Sequence, residues 1–132
     1  MIKKVFGRKL SRSRPAREAL FASLVRALVV SGKIVTTKAK AKAIRGMVEG
    51  YLHSARGGTL NARRRIISEL KNDGQTVKTL FDKKFKSLKV VNLAPRKGDS
   101  AEMVRLELTE EVKEVKKEAK KDENISTKRK RS

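Results

Sequence analysis

The chain has 132 residues and carries 35 Lys and Arg against 14 Asp and Glu, a formal net charge of +21. That length is about one domain plus tails, with a modest core, and the absence of cysteine excludes both disulfides and a thiolate zinc site. There is no run of about 18 apolar residues and no signal-peptide pattern, so a soluble intracellular protein with no membrane partner is expected. The charge is also unevenly placed: residues 1–98 hold 25 basic residues against 5 acidic, and the last 34 hold 10 against 9. Self-repulsion on that scale calls for a polyanionic partner, and nucleic acid is the leading candidate.

Residues 1–12 carry Lys3, Lys4, Arg8, Lys9 and Arg12 with little periodicity and read as an extended basic arm. Phe6 within it suits either stacking on a base or anchoring the arm to the protein. A first helix is predicted from Ser13–Pro15 to Gly32, with Ser13 as cap, Pro15 in the first turn, and Leu20, Leu24 and Leu28 as the apolar stripe beside Phe21 and Val25. Lys33–Thr36, β-branched at three successive positions, reads as a brief strand. Thr37 then caps a second helix that runs to about Arg56, buries Ile44, Met47, Val48, Tyr51, Leu52 and Ala55, and stops at Gly57-Gly58. Gly46 and Gly50 inside it either permit close approach of another backbone or are simply tolerated.

A third helix follows with Ala62, Ile66, Ile67 and Leu70 inward, ended by Asn72, Asp73 and Gly74. A shorter fourth starts near Thr76 and carries Val77, Leu80, Phe81 and Phe85 as core rather than as a base-stacking platform. Leu88–Leu93 and Met103–Leu108 read as an antiparallel hairpin whose loop projects Arg96 and Lys97. From Thr109 onward the chain is too polar for a core and reads as a charged tail, disordered or marginally helical. The expected organisation is an arm over 1–12, a globular α+β domain over 13–108, and a tail over 109–132.

Basic residues at the second helix are the most informative. Lys38, Lys40, Lys42 and Arg45 crowd its first turns, where positive charge opposes the helix dipole; phosphates close by, also met by free backbone amides, would offset that cost. Lys38, Lys42 and Arg45 share a face at steps of four and three. Thr36 and Thr37 stand at the same end. Arg12, Arg14 and Arg17 sit where the arm meets the first helix. Arg63, Arg64 and Arg65 point to different sides of the third, so one or two of them, taken as Arg63 and Arg64, are candidate contacts. Candidate nucleic-acid ligands are therefore Lys3, Lys4, Arg8, Lys9, Arg12, Arg14, Arg17, Thr36, Thr37, Lys38, Lys40, Lys42, Arg45, Arg63, Arg64, Arg96 and Lys97.

Catalytic equipment is thin. His53 is the single histidine and has no cysteine partner; the acids Glu18, Glu49, Glu69, Asp73 and Asp82 are scattered; and no glycine-rich phosphate loop occurs. An enzyme, a metal site, a cofactor and a small-molecule substrate are not expected.

Three segments, Gly7-Arg-Lys-Leu-Ser-Arg12, Ile34-Val-Thr-Thr-Lys-Ala-Lys-Ala-Lys42 with Arg45 and Glu49, and Pro95-Arg-Lys-Gly-Asp99, resemble in this order the bacterial large-ribosomal-subunit protein L17 family over about residues 7–108. Ser11 and Ala94 stand where glycine is common in that pattern, and Tyr51 and His53 replace more usual aliphatic and Thr residues. The resemblance implies an α-β-α-α-α-β-β order with a small mixed three-stranded sheet flanked by helices. It further implies a structural constituent of the ribosome in the cytoplasm, bound to large-subunit rRNA near the peptide exit tunnel and beside neighbouring ribosomal proteins. Contacts would be made by phosphate binding and shape more than by base readout. The alternatives are an architectural DNA-binding protein, for which neither a helix-turn-helix nor a dimerising heptad is evident, and a ribosome assembly factor.

Overall fold

The computed structural model describes residues 8–110; the calls on Lys3, Lys4 and Phe6 and on the tail beyond Glu110 lie outside them, while Thr109 and Glu110, expected to open the tail, extend the last strand instead. The elements follow as α1 (Arg14–Ser31), β1 (Lys33–Thr37), α2 (Lys38–Gly57), α3 (Leu60–Glu69), α4 (Gly74–Lys83), β2 (Phe85–Asn92) and β3 (Met103–Glu110). This is the expected α+β order.

The three strands form one sheet in the order β1-β3-β2. Both pairings are antiparallel, with Ile34 opposite Leu106 and Val90 opposite the same residue from the other side. The sheet is therefore antiparallel throughout and not mixed as expected. The two parallel strands, β1 and β2, never touch, because β3 lies between them.

Strand alternation puts Val104, Leu106 and Leu108 on one face of β3, where all three are buried, while Met103, Arg105 and Glu107 face the other way and are half-buried. The helices cover the first face. Ile44, Val48, Leu52 and Ala55 of α2 and Val25, Leu28 and Val29 of α1 join Leu70, Val77, Leu80, Phe81 and Phe85 in a single cluster with the inner residues of β3. Burying a Val, Leu, Ile or Phe side chain contributes about 1.5–3 kcal/mol, so this cluster dominates the stability.

Several local expectations are refined by the packing. On α1 the buried residues are Ala22, Val25, Leu28 and Val29, whereas Leu20, Phe21 and Leu24 lie at the margin of the core. Ser13 and Thr37 occupy the N-cap positions of α1 and α2, but neither hydroxyl makes a capping hydrogen bond. Phe85 belongs to β2 and not to α4: Lys84, in the left-handed conformation (φ 43°), ends the helix and turns the chain straight into the strand. β2 thus begins three residues before the predicted Leu88, with a register shift between Phe85 and Ser87 that breaks its alternation.

α4 also begins earlier than Thr76. Asp73 caps it, accepting from the Thr76 backbone N–H at 3.1 Å and from the Thr76 hydroxyl at 2.6 Å. The same carboxylate pairs with Arg26 and so ties α4 to α1. At the far end of α1, Gly32 closes the helix with φ 73° and an N–H donated to the Leu28 carbonyl at 2.8 Å. Its own carbonyl accepts from the Leu108 N–H at 2.8 Å, which delivers the chain into register with β3.

Replacing Asp73 by Ala should destabilise the domain by about 1–2 kcal/mol at neutral pH, the usual scale for losing a cap. The Thr76 hydrogen bonds and Arg26 hold the Asp73 carboxyl below its ordinary value of 3.8. A lowered folded-state value stabilises above the unfolded value and ceases to do so as pH falls through the folded one. Chemical denaturation should therefore show the full difference between the two proteins at pH 7 and a shrinking one below about pH 4.

Candidate nucleic-acid interface

β1 runs into α2 with no intervening residue, and Thr37 is both the last residue of the strand and the N-cap of the helix. The first turn of α2 contains no acid. Ala41, Ile44 and Val48 pin one side of the helix to the core, which leaves Lys38, Lys42 and Arg45 together along one flank. Lys40, two residues from both lysines, leaves the helix on the opposite side of the buried stripe. Thr36 points inward: its side chain is buried opposite Val104 on the core face of β1 and takes no part in the surface.

The β2–β3 loop reaches the same end of α2. The Lys38 N–H donates to the Glu102 carbonyl at 2.9 Å, and Lys38 Nζ lies 2.9 Å from Glu102 Oε2. This double tie joins the end of the loop to the start of the helix. The loop has internal order of its own. Leu93 N–H donates to the Met103 carbonyl at 3.0 Å, Arg96 N–H to the Ala101 carbonyl at 2.9 Å, and Asp99 Oδ1 accepts from Ala101 N–H at 3.2 Å. Arg96 grips Asp99 through both carboxylate oxygens, at 3.1 Å and 2.5 Å. Gly98 makes the bend at φ 105°, and Lys97 is exposed at the tip.

Three cations of these two segments are already paired with carboxylates. Arg45 Nε donates to Glu49 Oε1 at 2.8 Å, Lys38 meets Glu102, and Arg96 meets Asp99. The hydrogen bonds from Arg96 and the Ala101 amide hold the Asp99 carboxyl down at about 2, and the Lys38 ammonium, with Lys42 nearby, lowers that of Glu102. Both carboxyls are thus biased toward the ionised form by the cations and amides beside them. The Glu102 contribution was not legible in the sequence, since nothing local relates it to Lys38; the fold alone brings them together.

The remaining candidates lie elsewhere. Arg12, Arg14 and Arg17 gather at the start of α1, where Arg17 Nη1 donates to the Arg12 carbonyl at 3.4 Å and Arg14 pairs with Glu18 at 2.9 Å. Arg8 and Lys9 are exposed, and residues 9–12 make a turn in which Leu10 and Ser11 have φ 53° and 50°. The left-handed conformation at Ser11 is one that glycine adopts at least steric cost. Arg63 and Arg64 follow the far end of α2, a helix about 30 Å long, and are not brought to the face formed at its beginning. Arg63 instead stacks over the Phe81 ring, 4.9 Å from its centroid.

Gly46 and Gly50 are exposed, and a Cβ at either would meet nothing within 4 Å. Internal packing does not require glycine at these positions. His53 is exposed on α2, and among the described residues no three His, Asp or Glu side chains gather as metal ligands; no described helix is long and apolar enough to cross a membrane.

A family model described as "Ribosomal protein L17" matches residues 20–109. Among curated proteins, the large ribosomal subunit protein bL17 of Rubrobacter xylanophilus is 37% identical over 110 residues, covering 77% of this chain and 90% of that protein. The bL17 of Lactiplantibacillus plantarum is 35% identical over 124 residues (78% and 98%), and that of Campylobacter jejuni subsp. doylei 41% identical over 107 residues (76% and 92%).

Because Gly98 holds a φ that L side chains rarely adopt, Gly98→Ala should strain the loop and leave the core alone. Amide hydrogen exchange at Arg96 should accelerate, while the buried amides of α2 keep the protection they have in the parent protein.

Proposed function

Since this chain belongs to the ribosomal protein L17 family, we propose that it serves as a structural constituent of the large ribosomal subunit, located in the ribosome, and that it fixes segments of large-subunit rRNA through phosphate contacts and shape. The observation that carries the RNA reading is the junction of two basic segments, the start of α2 and the β2–β3 loop, through Lys38 and Glu102. Lys38, Lys42 and Arg45 supply charge along one flank of a helix whose sheet and core hold it in place, and Arg96 and Lys97 extend that charge onto the loop. Such a constellation neutralises phosphates without reading bases, which suits a folded RNA whose backbone spacing is set by its tertiary structure.

The basic residues before α1 and at its first position form the second part of the reading. Arg8, Lys9, Arg12 and Arg14, with Lys3 and Lys4 ahead of them, follow an RNA groove as a narrow cationic peptide, and the counterions they release favour binding. Lys40 and the arginines Arg63 and Arg64 face other directions, so in this reading they serve different RNA segments or none. Neighbouring large-subunit proteins complete the surroundings, near the exit tunnel that the family resemblance implies. The work assigned to the chain is positional and includes no bond-making step, so no catalytic group is assigned.

Replacing Lys38, Lys42 and Arg45 together by Gln should weaken binding to large-subunit rRNA and reduce the slope of log K against log salt by about two, since three phosphate contacts are removed and single-stranded and irregular RNA gives roughly 0.7 per contact. The three residues are at the surface, so circular dichroism and the thermal midpoint should match the parent protein. Filter binding across a salt series measures the slope, and an unchanged slope would count against this face.

A further inference from the structure

The cationic face carries acids that its proposed task does not call for. Seven acidic residues precede position 103 in the chain, and three of them, Glu49, Asp99 and Glu102, sit on this face beside Arg45, Arg96 and Lys38. Stability alone explains them poorly. The Lys38–Glu102 pair has side chains 39% and 65% exposed and the Arg45–Glu49 pair 59% and 48%, and exposed pairs of this kind contribute only about 0–1 kcal/mol. Asp99 has a separate task, since it accepts the Ala101 N–H and shapes the loop. Glu49 and Glu102 have no comparable backbone partner for their carboxylates among the described residues.

We propose that Glu49 and Glu102 are specificity-determining residues of the RNA face, which hold Arg45 and Lys38 against indiscriminate polyanions and release them only to phosphates that arrive in register with both. The inference rests on the RNA-binding reading above and goes beyond it by assigning a selective role to the anions. Its physical basis is a difference between two kinds of ligand. A generic duplex offers a diffuse field of negative charge, and within about 8 Å at physiological salt it meets the carboxylates as well as the cations. A fitted RNA surface places individual phosphates at the guanidinium and the ammonium, so that each replaces the carboxylate as the hydrogen-bonding partner. Selectivity is the difference between those two affinities, and a repulsive group on the protein enlarges it by weakening the wrong complex more than the right one. Both sites are built for such an exchange: Arg45 leaves its partner by rotating one side chain, and Lys38 remains anchored by its backbone bond to the Glu102 carbonyl when its ammonium moves.

The test is the full chain with Glu49→Gln and Glu102→Gln together, titrated in parallel against large-subunit rRNA and a random-sequence DNA duplex over a range of salt. Affinity for the duplex should rise roughly three- to thirtyfold and its salt slope should steepen by about one to two, because two cations become available. Affinity for the rRNA should rise by a smaller factor, because its phosphates already displace both carboxylates, so the preference for rRNA narrows. Asp82→Asn, the same change of charge at an exposed position on α4, should leave the preference where it was. The inference is overturned if duplex binding does not rise, if rRNA binding rises as much or falls, or if Asp82→Asn has the same effect. A parent protein with no preference for rRNA over duplex would sink the RNA reading itself and this inference with it; a parent preference that survives undiminished in the double variant sinks the inference alone. Unchanged thermal midpoints establish that folding is not the cause, and Glu49→Gln alone, at an exposed helical site, gives half the effect without touching the loop.

Discussion

The fold depends on the pairing of β3 with β1. β3 is the last described element of the chain and the middle strand of the sheet, and it pairs with a strand some seventy residues earlier, from Lys33 opposite Glu107 to Thr37 opposite Met103. Until it docks, β1 has no hydrogen-bonding neighbour, and the inner sides of α1 and α2 lack Val104, Leu106 and Leu108 to pack against. Loop-closure entropy must be overcome before this contact returns any free energy. The four helices precede it in the chain and are built from local contacts that need no such closure. The tie from Lys38 to Glu102 also exists only once β3 is seated, because Glu102 is the residue immediately before that strand. Assembly of the core and assembly of the cationic face are thus the same event.

Much of this architecture was legible in the residues. Gly32 and Gly57-Gly58 mark where α1 and α2 end, the alternation of Val104, Leu106 and Leu108 identifies β3 and its buried face, and Ile66 and Leu70 give the inner side of α3. The misreadings have local causes. Phe85 fits the spacing of the α4 stripe as well as it fits a strand start, and only the left-handed Lys84 decides between them. The mixed sheet is an implication of the family resemblance alone, and the antiparallel pairing of β1 and β2 with β3 overturns it. The register shift near Phe85 blurs the alternation of β2, which is why that strand looked shorter than it is.

The cationic face was half legible. Lys38, Lys42 and Arg45 can be placed on one flank from helical spacing, and Arg96 and Lys97 from the turn residues around them. The tie between these two segments depends on a long-range contact that no local pattern encodes. The acids were harder still. Glu49 lies one helical turn from Arg45 and Asp99 three residues from Arg96, so these pairs follow from spacing, but Glu102 reads as a loop residue until the backbone brings it to Lys38. The contrast between charge and packing is general for a chain of this kind. Core residues declare themselves by periodicity, whereas surface charges acquire meaning from neighbours that the fold supplies.

Thr37 belongs to two elements at once, closing a strand and opening a helix. A junction without spare residues has nowhere to absorb a change of length. One amino acid inserted between Lys33 and Thr37 would flip the strand's side chains to the wrong face or swing α2 by about a quarter turn, and either would carry Lys38, Lys42 and Arg45 off their heading. The stretch from residue 93 to 102 is largely exposed and can lengthen or shorten at little expense to the core. Among related chains, insertions and deletions should accordingly be missing from the strand-to-helix joint.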